Sequence, residues 1–203
     1  MQIKEVAQIT TIKTITKQEI NLLHAFKSCG VMLHEYILSY ISNHRLSVFI
    51  RGGLIKKAST FLHGNSSFFI YFLSAKGKRL ALKVGISGQW YRSASVSHDI
   101  EVLKKYMSLP LEARLTWQTE KELQNVLNQT LQSYEQLKDY EKVEEITGLI
   151  KDKKISATDG AYESKGKLQL FEVITRNYTF EDILAKLLFT DALNCQIEMK
   201  YTR

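Results

Sequence analysis

Hydrophobic and polar positions along the chain mark out most of its elements. Ile3, Val6, Ile9, Ile12 and Ile15 recur among Thr, Lys and Gln, a β-branched stretch that predicts extended backbone. Thr16-Lys17-Gln18-Glu19 has the form of a capping box and predicts a helix through Ile20, Leu23 and Phe26 that stops near Gly30. Leu33, Tyr36, Ile37, Tyr40 and Ile41 share one face at helical spacing and predict a second helix. Gly52-Gly53 punctuates the chain after the short apolar segment Leu46–Ile50. The unbroken run Phe68-Phe69-Ile70-Tyr71-Phe72-Leu73 suits a central strand. Ala75-Lys76-Gly77-Lys78 then predicts a turn and Leu80–Ser87 a returning strand, a hairpin in which Gly77 supplies positive φ.

Farther along, Ile100, Leu103 and Met107 predict a helix over Asp99–Met107, with Ser97 as its cap and Pro110 closing the segment. The stretch from Thr119 to about Lys153 reads as polar and helical, carried by Leu123, Leu127, Leu131 and Tyr134 and then by Leu137, Val143, Ile146 and Ile150. Ser156–Lys167, with Asp159-Gly160 and Gly166, predicts a loop. Leu168–Ile174 predicts a third strand and Phe180–Phe189 a last helix.

Composition narrows the class. Of 203 residues, 44% are hydrophobic and 24% charged, which excludes wholesale disorder. No run approaches a membrane span, and Met1-Gln2-Ile3-Lys4-Glu5 lacks a signal-peptide core, so no membrane partner is expected. Cys29 and Cys195 form no CxxC pair and cannot build a disulfide framework, and the expected compartment is a reducing cytoplasm. Charge adds a direction: the formal net is +7, and residues 1–112 carry 15 Lys/Arg against 6 Asp/Glu. A basic first half raises the odds of a polyanionic partner, because neutralised phosphates release counterions.

His24, His34, His44, His63 and His98 form no HxxxH or HExxH pattern, and no GxxxxGK[ST], GxGxxG or GxSxG occurs, which argues against zinc, nucleotide-loop and nucleophile-elbow chemistry. One ordered set remains: Tyr71 on the first strand of the expected hairpin, Lys83-Val84-Gly85-Ile86-Ser87 ending the second, then Arg92, His98 and Glu120. Antiparallel pairing would put Tyr71 beside Lys83, and both can handle a proton if burial and each other lower their pKa values. An Arg can donate twice to a phosphate, and a Glu can hold a hard divalent cation. Taken singly, the same residues have plainer readings. Tyr71 is a core tyrosine, Lys83 a strand-edge lysine, Arg92 and His98 surface polar residues, and Glu120 a favourable charge on a helix N-terminus.

The set resembles the GIY-YIG nuclease superfamily, in the branch whose second motif is K-[IV]-G. The matches are Phe69-Ile70-Tyr71-Phe72-Leu73, Lys83-Val84-Gly85-Ile86-Ser87, Arg92, and Glu120 with Leu123 and Leu127, over about residues 67–131. The resemblance implies an α+β fold with a small three-stranded antiparallel sheet flanked by helices. The chain then divides into a basic, helical segment 1–62, on which the resemblance is silent, and a catalytic domain 63–203 with a helical insertion near 134–153. The resemblance implies a metal-dependent DNA endonuclease with Tyr71 as general base, Lys83 favouring its phenolate, Arg92 stabilising the phosphate and Glu120 binding Mg²⁺ or Mn²⁺. His98 would contact a phosphate or assist proton transfer. Arg92 follows Gly85 by a tighter spacing than the family's. The family's Glu has two candidates here: Glu122, three residues after Thr119, is placed for a capping box, and Glu120 is the choice for metal ligand.

The expected partner is double-stranded DNA, with a homodimer left open. Lys56, Lys57, Lys76, Lys78 and Arg79, with Lys13, Lys17, Lys27, Arg45 and Arg51, are the candidate phosphate contacts. A rival set, Glu163-Ser164-Lys165 with Asp152, imitates the D…ExK nuclease pattern; Glu172 is on a better strand, but Ile174 holds the lysine position. Two further alternatives are a non-catalytic DNA-binding or assembly protein, and an interaction protein whose basic face meets an acidic partner.

Overall fold

The computed structural model describes residues 14–61, 67–91 and 95–202. Most of the stretch read as extended (residues 3–13), with Lys13, His63 and Arg92, lies outside the described residues. The chain forms two compact units, residues 1–26 with 31–87, and residues 27–30 with 88–203.

The first unit begins with α1 (Lys17–Cys29), whose last turn groups with the second unit. The capping box is formed as expected: the Glu19 backbone N–H donates to Thr16 Oγ1 at 3.2 Å, and the Thr16 N–H donates to Glu19 Oε2 at 2.8 Å. After Gly30 the chain makes β1 (Met32–Leu33), α2 (His34–Leu38) and α3 (Asn43–Arg51). The single helix expected around Leu33–Ile41 is therefore a strand, a short helix and a turn, and Leu46–Ile50 belongs to a helix. The break comes from Ser42, whose hydroxyl accepts from the Arg45 N–H at 3.3 Å and caps a new helix in a new direction. Ile37, Tyr40, Ile41, Leu46 and Phe49 are buried, so the apolar period read from the sequence survives the break.

Two strands follow, β2 (Ile55–Phe61) and β3 (Ser67–Leu73), then α4 (Ala75–Lys83). They form a three-stranded antiparallel sheet in the order β1-β3-β2, with Tyr71 opposite Met32 on one side and Lys57 on the other. Here the expected hairpin is corrected. The aromatic strand pairs with the segment before it, and Ala75–Lys83 is a helix. Ser74 caps it, accepting from the Gly77 N–H at 3.0 Å and donating to the Gly53 carbonyl at 2.6 Å. Gly77 serves close approach instead of a turn, since a Cβ there would lie 2.3 Å from the Leu54 carbonyl oxygen. A boundary at 62/63 would cut between two strands paired from Ile55↔Leu73 to Phe61↔Ser67.

The second unit holds α5 (Val96–Ser108), α6 (Leu111–Leu115), β4 (Gln118–Thr119), α7 (Glu120–Gln136), α8 (Tyr140–Lys151), β5 (Gly160–Ser164), β6 (Lys167–Ile174), α9 (Phe180–Ala192) and β7 (Gln196–Tyr201). Ser95, not Ser97, caps α5. The expected helical stretch to Lys153 is the α7–α8 pair. The expected loop at Ser156–Lys167 contains β5, a strand with no long apolar run to announce it. β4, β5 and β6 are antiparallel, and β6 runs parallel to β7 through the α9 crossover. Leu123, Leu127, Ile146, Ala161, Leu170 and Phe189 fill the core between the sheet and α7–α9. Near Gly160 the indole of Trp117 lies against the backbone, 6.1 Å from the Tyr162 ring and parallel to it; a Cβ on Gly160 would be 2.3 Å from that indole. The α+β character expected from the resemblance is found, with a second, mixed sheet beyond the three-stranded one. Among the described residues no helix is long and apolar enough to cross a membrane.

Candidate functional site

In the first unit, α2 and α3 are joined by the turn Ser39–Ser42, and the β2–β3 pair follows α3. Leu46, Val48 and Phe49 turn α3 inward, while Asn43, His44, Ser47 and Arg51 are exposed along its other side. Arg45 does not join them. It pairs with Glu19 and donates to the Thr14 carbonyl at 2.9 Å, which fastens α3 to the start of α1. Exposed Lys56 and Lys57 stand on β2, and Lys57 Nζ sits 3.4 Å from the ring centroid of Phe69, itself 51% exposed. Residues 31–87 carry eight Lys/Arg and one acid, Glu35.

Tyr71 is buried in the same sheet, with its hydroxyl 3.0 Å from His34 Nδ1. Burial raises its phenol pKa, the direction opposite to that needed by a general base. Lys83 is exposed in the last turn of α4, a favourable place for a cation, and is not a strand neighbour of Tyr71. Lys78 and Arg79 are exposed on α4, and Lys76 donates to the Gly52 carbonyl at 2.8 Å.

In the second unit, Glu120 is exposed at the first residue of α7. Glu122 does the structural work foreseen for it, accepting the Thr119 N–H at 2.9 Å and pairing with Lys27 Nζ at 2.6 Å. Burial opposes its charge, and the bonds to Lys27 and Thr119 overcome that and lower its pKa. Lys27 is thereby occupied and buried, and leaves the set of candidate phosphate contacts.

His98 is also buried, and it belongs to a polar cluster whose other members were unassigned or read otherwise. Its Nε2 lies 3.0 Å from Asp159 Oδ2, and the Tyr91 hydroxyl lies 3.1 Å from Nδ1 while donating to Asp99 Oδ1 at 2.9 Å. Burial would lower the imidazole pKa; the bonds to Asp159 and Asp99 outweigh it and raise the value to about 9. Asp159 also accepts the Val173 N–H at 2.8 Å, and its own N–H donates to Glu172 Oε2 at 2.8 Å. Glu172, fully buried on β6, takes the Tyr178 hydroxyl at 2.5 Å and Lys186 Nζ at 3.1 Å, both on Oε1. Burial raises the Glu172 pKa, Asp159 adds to the rise, and Lys186 pulls it back. Burial raises that of Tyr178 too. A cavity of about 590 Å³ opens beside Tyr178 and Lys186.

Asp159, just before β5, thus gives its backbone N–H to the Glu172 carboxylate on β6, and Lys186 from α9 reaches the same carboxylate. Glu172 and Ile174 had marked β6; Asp159 was hidden in an apparent loop, and Lys186 sits alone in an apolar helix with no motif around it. Glu163 and Asp152, the carboxylates of the first D…ExK rival, take no part in these bonds. Among the described residues no group of three or more His, Cys, Asp and Glu is arranged to hold a metal ion. Compared with protein-family models, curated proteins and solved structures, the chain matches none.

Proposed function

We propose that this protein binds double-stranded DNA through the α2–turn–α3 segment of its first unit, acting as a helix-turn-helix with α3 in the major groove. The observation that supports it is the order α2–turn–α3–β2–β3 bearing an exposed polar side on α3, in a segment with eight basic residues and one acidic one. Asn43 and Arg51 are the side chains suited to paired bonds with adenine and guanine, and His44 and Ser47 lie between them. Lys56 and Lys57 supply phosphate contacts, which set register without reading sequence. Selection from random duplexes tests this: a short motif is enriched, and Arg51→Ala relaxes one position of it at a cost of about 1–3 kcal/mol. Absence of any motif, or one that Asn43→Ala and Arg51→Ala both leave unmoved, retires the proposal.

A second reading, metal-dependent cleavage of that DNA, is favoured by the meeting of Asp159, Glu172 and Lys186. The route through Tyr71, Lys83, Arg92, His98 and Glu120 loses its hairpin. It leaves a buried tyrosine with a raised pKa and a histidine held on both nitrogens. In this reading Asp159 would be the carboxylate to hold a hard cation such as Mg²⁺ or Mn²⁺ beside its waters, since both oxygens of buried Glu172 already accept hydrogen bonds. When bound, the ion polarises the scissile phosphate. Lys186, 3.1 Å from Glu172, pulls that carboxyl part of the way back toward its ionised form and brings a cation to the site. Plasmid nicking with Mg²⁺ and with EDTA is the measurement. Asp159→Asn abolishes the Mg²⁺-dependent product and Tyr71→Phe does not; the reverse pattern returns the chemistry to Tyr71, and no nicking by the wild type leaves DNA binding alone.

A further inference from the structure

α9 is apolar on two sides. Phe189 and Ala192 point into the core, whereas Phe180, Leu184 and Leu187 are 74, 40 and 41% exposed. Their spacing, i, i+4 and i+7, lays them along one stripe. Single exposed leucines need no explanation, but three large apolar side chains in line on one helix mark an interaction surface.

The cavity of about 590 Å³ adjoins this stripe, with Leu184, Ala185 and Leu188 in its wall. Its charged lining is Lys186, paired with Glu172, and two exposed pairs of opposite sign. Lys153 and Lys154 follow α8, and Glu181 and Asp182 stand in the first turn of α9. An apolar stripe with a knob, a hollow, a basic edge and an acidic edge is complementary to itself. A two-fold axis along the patch sets the acidic edge of one copy on the basic edge of the other, and each knob opposite a hollow. A uniformly acidic or basic partner would leave one edge facing like charge.

We propose that the protein forms a homodimer about a two-fold axis on α9, Phe180 of each copy entering the cavity beside the α9 of its mate, with Glu181 facing Lys153 across the contact. Burying such aromatic and leucine anchors while acid meets base at the rim is the anatomy of a specific interface.

Sedimentation or light scattering on the full chain, across the micromolar range and without DNA or metal, reads the assembly. The wild type is a dimer, and Leu184→Asp or Phe180→Asp raises the dissociation constant by roughly 30-fold or more. Both side chains are solvent-exposed in the single chain, so the circular dichroism of each variant stays that of the wild type. Charge reversal supplies the second arm: Glu181→Lys and Lys153→Glu each weaken the dimer, and the two together restore it, a rescue that a folding defect would not give. A wild type that stays monomeric overturns the proposal, as does a dimer indifferent to Leu184→Asp or a double reversal without rescue. None of these outcomes bears on DNA binding, which is measured separately.

Discussion

His98 shows how two acids can reverse what burial alone would do to a side chain. Its imidazole is almost out of water, yet Asp159 and Asp99 hold the proton on, with a pKa of about 9 against the ordinary 6.5. Between those values the folded protein keeps a proton that the unfolded chain has released. The stabilisation is therefore complete below pH 6.5, fades as pH rises, and is gone above about 9. Urea unfolding in EDTA should lose roughly 1–3 kcal/mol over that interval, and the slope should flatten in His98→Gln. Gly160, next to Asp159, makes a different demand. Its backbone carries the face of Trp117, so Gly160→Ala forces indole against methyl and should cost about 1–3 kcal/mol at any pH. A Gly160→Ala protein as stable as the wild type would mean that the Trp117 ring moves aside freely.

At the scale of elements, the two acids of α7 separate a helix end from a free charge. Glu122→Gln removes the negative charge that pairs with Lys27 and weakens the Thr119 cap, and should cost about 1–3 kcal/mol in thermal or urea unfolding; Glu120→Gln, exposed two residues earlier, should change stability by less than about 0.5 kcal/mol. That cap was legible because its two residues are three apart, as were the cap at Thr16, the Phe68–Leu73 strand and the α7–α8 stretch. What was not legible depended on distant chain. Leu80–Ser87 carries strand-like residues, but Ser74 and the glycine contact with Leu54 start a helix there, and the partner of the aromatic strand lies upstream. β5 has too few apolar residues to stand out; its strand is made by β4 and β6 on either side. Glu172 lay on an expected strand, but nothing near it in sequence announced its partners. The lysine that pairs with Glu172 arrives from α9, fourteen residues later, and no spacing rule within a strand can foresee that.

For the molecule as a whole, charge is the property that sequence and structure read alike. The excess of lysine and arginine that set the first half apart concentrates between residues 31 and 87, once Lys27 and Arg45 are subtracted as partners of Glu122 and Glu19. What is left exposed on α3 and β2 is Arg51, Lys56 and Lys57. Lys57 leans over the exposed ring of Phe69, so its stem is ordered before any partner arrives, and less entropy is lost on contact. If these lysines meet phosphates, the logarithm of the binding constant falls with the logarithm of salt by about 0.9 for each contact. The double variant Lys56→Ala/Lys57→Ala should then bind every duplex more weakly by a similar factor and flatten the salt slope by up to about 1.8. Arg51→Ala should do the opposite in kind, taking affinity mainly from the preferred sequence and leaving random duplex nearly as before. Fluorescence anisotropy on one selected and one random duplex, titrated at several salt concentrations, measures both. An unchanged slope in the double variant would make Lys56 and Lys57 solvated surface charges, and the phosphate contacts would have to be sought among Lys78, Arg79 and Lys83 on α4.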